Sequence, residues 1–205
     1  MQHLTGFLVL LLVVGARDCE GASVAAVTLI RQTHELSVFL QGRIPTLINT
    51  YLAQMGSPFS DPGFDVPDVQ LESLPVAAIP FITWRRLSVQ ERVSANYRAY
   101  SLYLEFLQLV LDDQQTLGPS LGPGQLQEQL TATKAQVEGL VSNLQSLLIA
   151  MGYQPPSVGD PLDSASYGST DFERKVRGYI VCREYRDWMD RTERDFTLLS
   201  YYFPA

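Results

Sequence analysis

Cysteine is nearly absent: Cys19 and Cys182 are the only two in 205 residues. A framework of several disulfides is therefore excluded, and stability has to come from buried apolar surface, for which a chain of this length suffices. Histidine is equally scarce, with His3 and His34 alone. A single histidine on a helix supplies neither a metal centre nor an acid–base pair. Gly-x-Ser-x-Gly, a Gly-Lys-Ser/Thr phosphate loop, Cys-x-x-Cys and His-Glu-x-x-His are all missing, which removes the common hydrolase, nucleotide-binding, redox and zinc signatures. Basic residues are outnumbered 15 to 22 by acidic ones, for a net charge of −7. Such a surface repels nucleic acid. Asn49, Asn96 and Asn143 lack a hydroxyl residue two positions on, so no N-glycosylation is expected. The reading is of a protein that is not an enzyme, with no catalytic residue, no metal and no cofactor.

Long hydrophobic runs are also few. The one at the start, Phe7 to Val14 within "MQHLTGFLVLLLVVGARDCEGAS", is shorter than the ~20 apolar residues a membrane span requires. Followed by small residues, it has the layout of a secretory signal peptide. Cleavage fits after Gly21 or after Ala16, and the first choice leaves Cys182 as the sole thiol, a small hydrophobe rather than a reactive group. The expected organisation is a signal segment at 1–21 and one helical domain at 22–205, secreted and extracellular, without membrane insertion. A composition of 46% hydrophobic and 18% charged residues suits one globular domain.

What is present is helical periodicity. Leu36, Leu40, Ile44, Leu47, Tyr51 and Met55 recur at steps of three or four, predicting a helix over about 23–55, with Gly42 and Pro45 expected to kink it or delay its start. Ser88-x-x-Glu91 is a capping box that opens a second helix, whose stripe is Val93, Tyr97, Tyr100, Leu104, Leu107 and Leu111. The adjacent carboxylates Asp112 and Asp113 near its end point about 100° apart and read as a solvated helix end. A third helix spans about 125–151 on Leu126, Leu130, Val137, Leu140, Leu144, Leu147 and Met151. Thr170-x-x-Glu173 opens a fourth, ending near Tyr201, with acid-first pairs Glu173/Arg177, Asp187/Arg191 and Asp190/Arg194.

Connection lengths select a topology. Linking two parallel helices of this length end to start takes roughly 13 extended residues or more. Residues 57–87 and 153–169 can make that crossing, whereas "LGPSLGPG" can only reverse the chain. Long, short, long predicts an all-α, up-up-down-down four-helix bundle with two long crossovers. The first crossover carries Phe59, Phe64, Leu71, Leu74, Ile79, Phe81 and Trp84, so it should lie pinned along the bundle rather than float as a linker.

In the last helix, Val181, Tyr185, Trp188, Thr192, Phe196 and Leu199 share one face, and Phe172 lies about 160° from its centre with Lys175 on the same outer side. Val176 and Tyr179 share that side. Periodicity leaves two readings open: an exposed apolar anchor, or residues covered by the second long connection where the helix turns its packing face.

The stretches "FERKVRGYIVCREYRDWMDRTERDF", "TYLAQMGSPFSDPGF" and "LPVAAIPFITW" resemble the interleukin-6 family of helical cytokines, from about Leu36 to Leu199 and least through the third helix. "FITWRRL" and "NYRAYS" are similar to more than one member of its cardiotrophin group. The resemblance implies a secreted ligand, monomeric before it binds, that gathers receptor chains and activates JAK/STAT signalling with a neurotrophic or survival role. By its Phe-x-x-Lys pattern it implies that Phe172 and Lys175 engage leukaemia inhibitory factor receptor. By position it implies that Trp84, Arg191 and Asp195 meet ciliary neurotrophic factor receptor alpha, although Trp84 as core and Arg191–Asp195 as a mutual i,i+4 pair fit the residues equally. A third surface on the outer faces of the first and third helices is expected to meet glycoprotein-130. The reading from another class is a secreted carrier with an apolar ligand inside the bundle.

Overall fold

The computed structural model describes residues 24–118, 124–162, 168 and 170–204, so the expected signal segment lies outside the described residues. Among the described residues there are five helices and no strand: α1 Val24–Met55, α2 Phe81–Arg86, α3 Val89–Leu117, α4 Gln125–Ala150 and α5 Asp171–Tyr202. The four long helices form a bundle in which α1 packs on α4 and α5, and α3 packs on the same two.

Side-chain contacts give the directions. Tyr51 and Met55, at the end of α1, meet Lys175 at the start of α5, while His34 and Gln41, nearer the start of α1, meet Thr197 and Asp190. α3 runs against α5 in the same way, Arg92 near its start meeting Asp195 and Asp113 near its end meeting Arg177. α1 and α3 are therefore parallel. α4 runs against α1, its Gln129 and Thr133 standing with Thr46 and Leu47 and its Gln136 with Leu40 and Arg43, which completes the up-up-down-down order expected from the connection lengths.

Local chemistry sets the helix ends. The Ser88 hydroxyl accepts from the Glu91 N–H (3.2 Å) while a Glu91 carboxylate oxygen accepts from the Ser88 N–H (2.8 Å). Thr170 and Glu173 repeat the box at α5, at 3.2 and 3.0 Å. At the end of α4, Gly152 takes φ +77°, letting the Tyr153 N–H reach back to the Leu148 carbonyl (2.8 Å), a left-handed cap that disfavours other residues. Contrary to the expectation of a late start, α1 runs unbroken from Val24 across Pro45. Gly42 and Pro45 sit on its exposed side, where a carbonyl deprived of its helical donor can be hydrated.

The core follows the stripes with small shifts; on α1 Leu40, Ile44, Leu47, Tyr51 and Met55 are buried but Leu36 is only half-buried. On α4 and α5 the expected inward residues are buried, except Met151, which is half-buried. On α3, Tyr97 and Leu104 are only half-buried, and Asn96, Tyr103, Phe106 and Val110 fill the seam with Val93, Tyr100, Leu107 and Leu111. The first connection is pinned as expected, except at Phe81, which stands exposed rather than packed on the bundle. Phe59, Leu74 and Ala77 are buried, and its carbonyls accept from side chains of the bundle: Tyr103 to Pro75 (2.9 Å), Arg183 to Val66 (3.2 Å) and Arg191 to Ala77 (3.3 Å).

At Gly178 the side chain of Tyr51 from α1 lies directly against α5, and its hydroxyl donates to the Lys175 carbonyl (2.9 Å). A Cβ on Gly178 would stand 2.1 Å from that hydroxyl oxygen. Gly178→Ala is expected to cost about 1–3 kcal/mol by overpacking, read from urea unfolding, with part recovered when Tyr51→Phe is added.

Candidate functional site

The two ends of α5 carry the residues of interest. At the amino end, the capped first turn holds Phe172, 54% exposed. Its ring leans on buried Phe59 (centroids 5.6 Å), which packs on Phe64 (4.7 Å), which meets Tyr179 edge-on (5.3 Å). An aromatic row from the first connection thus supports the protruding ring from beneath. Beside it, Val66, Val69, Leu71, Glu173 and Val176 line a cleft of about 340 Å³. Val176 and Tyr179, which share the outer side, are buried, and the first long connection lies against both: Phe64 and Asp65 meet Tyr179, and Val66, Val69 and Leu71 border the cleft beside Val176. The phenol of Tyr179 donates to Asp65 (3.2 Å), and its pKa is raised, first by burial and then by the Asp65 charge.

Lys175 is half-buried and does structural duty. Its ammonium donates to the Met55 carbonyl at the end of α1 (3.0 Å), while its own carbonyl accepts from Tyr51. An ammonium has three protons, so this bond uses one of them. Phe172 and Lys175 are brought to one corner of the bundle, where α5 begins and α1 ends.

Behind that corner lies a residue read differently from sequence. Asp113 is buried, not solvated: Arg177 grips it through Nε (2.8 Å) and Nη2, and Arg174 stands 3.8 Å away. Asp112 stays outside with Gln108 (2.9 Å). Divergence of neighbours on a helix held, but the inward member found a cation on α5, which the local pattern of either helix does not reveal.

At the carboxyl end, Trp84, Arg191 and Asp195 do come together, but chiefly inside the protein. Asp195 is 0% and Arg191 6% exposed, so neither presents its charge to a partner. One oxygen of Asp195 accepts from the Trp84 indole N–H (2.7 Å) and from Arg92 (2.7 Å); the other accepts from Asn96 (2.9 Å) and lies 3.8 Å from Arg191. Arg191 also stacks on Trp188 (4.5 Å). Three donors and a nearby second cation converging on one carboxylate are how a buried charge is tolerated. Trp84 is half-buried, with exposed Phe81 beside it (5.7 Å).

His34 stands 3.2 Å from the Thr197 hydroxyl and 3.9 Å from Glu193. Among the described residues, no three His, Cys, Asp or Glu side chains gather as a metal site would require, and no helix is long and apolar enough to cross a membrane.

Comparison with known proteins now adds to this geometry. A family model described as plethodontid receptivity factor PRF matches residues 10–204. Cardiotrophin-2 of Mus musculus is 42% identical over 176 residues, covering 86% of this chain and 85% of the relative. Cardiotrophin-2 of Pan troglodytes is 41% identical, covering 91% of each. Cardiotrophin-1 of Mus musculus is 32% identical, covering 81% of this chain and 82% of the relative. The chain belongs to the cardiotrophin group of the interleukin-6 family of helical cytokines. As a member of that family it has cytokines for relatives, and cytokine receptors are its partners in general terms.

Sequence reasoning missed three features of this cardiotrophin-like bundle: helix α2, buried Arg92, and the Asp113–Arg177 pair. A signal existed only for the first, in Pro80 ahead of six residues that end in two arginines, a favourable start and finish for one helical turn.

Cys182 is 1% exposed, and burial pushes its thiol up to about 12. At pH 8 almost none is thiolate, so a chain starting at residue 22 should release less than about a tenth of an equivalent with a disulfide reagent in an hour, and one equivalent after denaturation. Rapid labelling of the native protein would contradict the burial.

Proposed function

We propose that the protein is a secreted cytokine, residues 22–205 after removal of the signal segment, that acts by assembling receptors. Leukaemia inhibitory factor receptor takes the corner formed by Phe172 and Lys175, glycoprotein-130 takes the outer faces of α1 and α4, and ciliary neurotrophic factor receptor alpha takes the surface around Trp84. Joining the first two brings their intracellular kinases together and starts JAK/STAT signalling, with a neurotrophic or survival outcome. No bond in any substrate is made or broken.

One observation carries this reading: a phenylalanine more than half exposed in the first turn of α5, backed by buried aromatics and flanked by a cation. An apolar ring on a fixed support loses little freedom when covered, and a neighbouring charge orients the approach, which is the composition of a binding hot spot. Lys175 keeps protons beyond the one given to Met55 for that role. On the Trp84 surface, Arg191 and Asp195 take part from beneath, since both are buried. Several weak surfaces used together raise the overall affinity. The carrier alternative is less well supported: the seams are filled by buried side chains such as Leu130, Leu140, Leu144, Tyr100 and Phe196, and the space among Leu40, Arg43, Ile44, Thr133, Gln136 and Tyr185 is about 10 Å³.

Phe172→Ala is expected to weaken binding to the purified leukaemia inhibitory factor receptor ectodomain by about 30-fold or more, the effect of losing a hot spot worth at least about 2 kcal/mol. Helicity should be unchanged. Binding within twofold of the wild type, by surface plasmon resonance, would remove Phe172 from the interface.

A further inference from the structure

Helix α2 has no buried residue. Phe81, Ile82, Thr83, Arg85 and Arg86 are exposed, with Phe81 at 66% and Ile82 at 58%, so a single turn of helix displays two large apolar side chains with little packing of its own beneath it. A turn of this length does not hold itself in water. Apart from a long bond from Arg85 to the Tyr202 hydroxyl (3.4 Å), what fastens it is Trp84, and Trp84 is gripped at both ends by one ion pair. Its indole N–H donates to Asp195 (2.7 Å), and its backbone carbonyl accepts from Arg92 (2.5 Å). Arg92 and Asp195 are themselves joined at 2.7 Å, 1% and 0% exposed, and the Arg92 guanidinium lies 4.7 Å from the centre of the indole ring. Asn96 holds the second oxygen of Asp195, so the carboxylate cannot turn away.

We infer that the Arg92–Asp195 pair is a latch for α2, and that Arg92 and Asp195 are positioning residues for the Trp84, Phe81 and Ile82 surface. Neither touches a partner. The inference that this surface serves the alpha receptor rests on the reading given above; the latch itself does not. An arginine suits the task because two separate nitrogens of its planar fork reach the carboxylate and the Trp84 carbonyl, whereas a lysine would have to serve both from a single nitrogen.

Arg92→Lys keeps the buried charge balanced and so spares the fold while loosening the grip. The Trp84 and Leu87 amides, whose bonds to the Pro80 and Trp84 carbonyls close α2, are expected to exchange with deuterium at least tenfold faster. Core amides of α1 and α4 should be unchanged. Affinity for the ciliary neurotrophic factor receptor alpha ectodomain should fall at least fivefold, with leukaemia inhibitory factor receptor binding, at the other end of α5, within twofold. If Arg92→Lys does not fold, Trp84→Phe leaves the ion pair intact, removes the indole donor, and should accelerate the Leu87 amide at least threefold. Unchanged α2 exchange in a folded variant would overturn the latch. Faster exchange with unchanged alpha-receptor affinity would overturn the positioning role. If the wild-type protein does not bind the alpha receptor, that partner assignment fails, and exchange alone decides the latch.

Discussion

Two buried ion pairs of opposite order set the relation between α3 and α5. α3 presents Arg92 and then Asp113; α5 presents Arg177 and then Asp195; and because the helices are antiparallel, each cation meets an anion. The pairs stand about 30 Å apart at 1.5 Å per residue. Sliding α5 by one turn, or rotating it by one residue, would leave four charges in the core without partners. A charge left alone in an apolar interior costs several kcal/mol, whereas a satisfied pair adds little net stability. Their contribution is therefore register: leucine seams tolerate small slips, and these four residues do not.

With the register of α5 set, its two ends face outward in defined ways. At the amino end, the clasp of Tyr51 onto the Lys175 carbonyl and of Lys175 onto Met55 holds the start of α5 to the finish of α1, where the first connection departs with Phe59. Phe172 then has a floor and an open side. At the carboxyl end, the same pair that fixes register also holds Trp84, so the placement of α2 is tied to that of the core. The connection between these ends is strapped along α5 by Arg183 and Arg191, whose guanidinium groups satisfy carbonyls that no helix or sheet would.

The four long helices were legible because their stripes and capping boxes are local, each decided within a few residues of itself. Thr170-x-x-Glu173 marked the start of α5, and the lengths of the connections gave the order of the bundle. What could not be read was the fate of individual polar residues on those stripes. Asp113 and Arg92 look like surface residues in any window of ten, and only the partner helix makes them interior. For Phe172, periodicity left exposure and cover equally open; Val176 and Tyr179, on the same side, were covered by a segment distant in sequence. Trp84, Arg191 and Asp195 lie together, but a helical wheel does not reveal that Asp195 points to Arg92 and Asn96 rather than to solvent.

A double-mutant cycle across Asp113 and Arg177 tests the register claim most directly, with Asp113→Asn, Arg177→Met and the double variant compared in urea unfolding. Each single change should destabilise by about 3–5 kcal/mol, and the double by much less than their sum, giving a coupling of at least about 1.5 kcal/mol. Additive losses would mean that the two charges do not answer to one another, and that something else aligns α5.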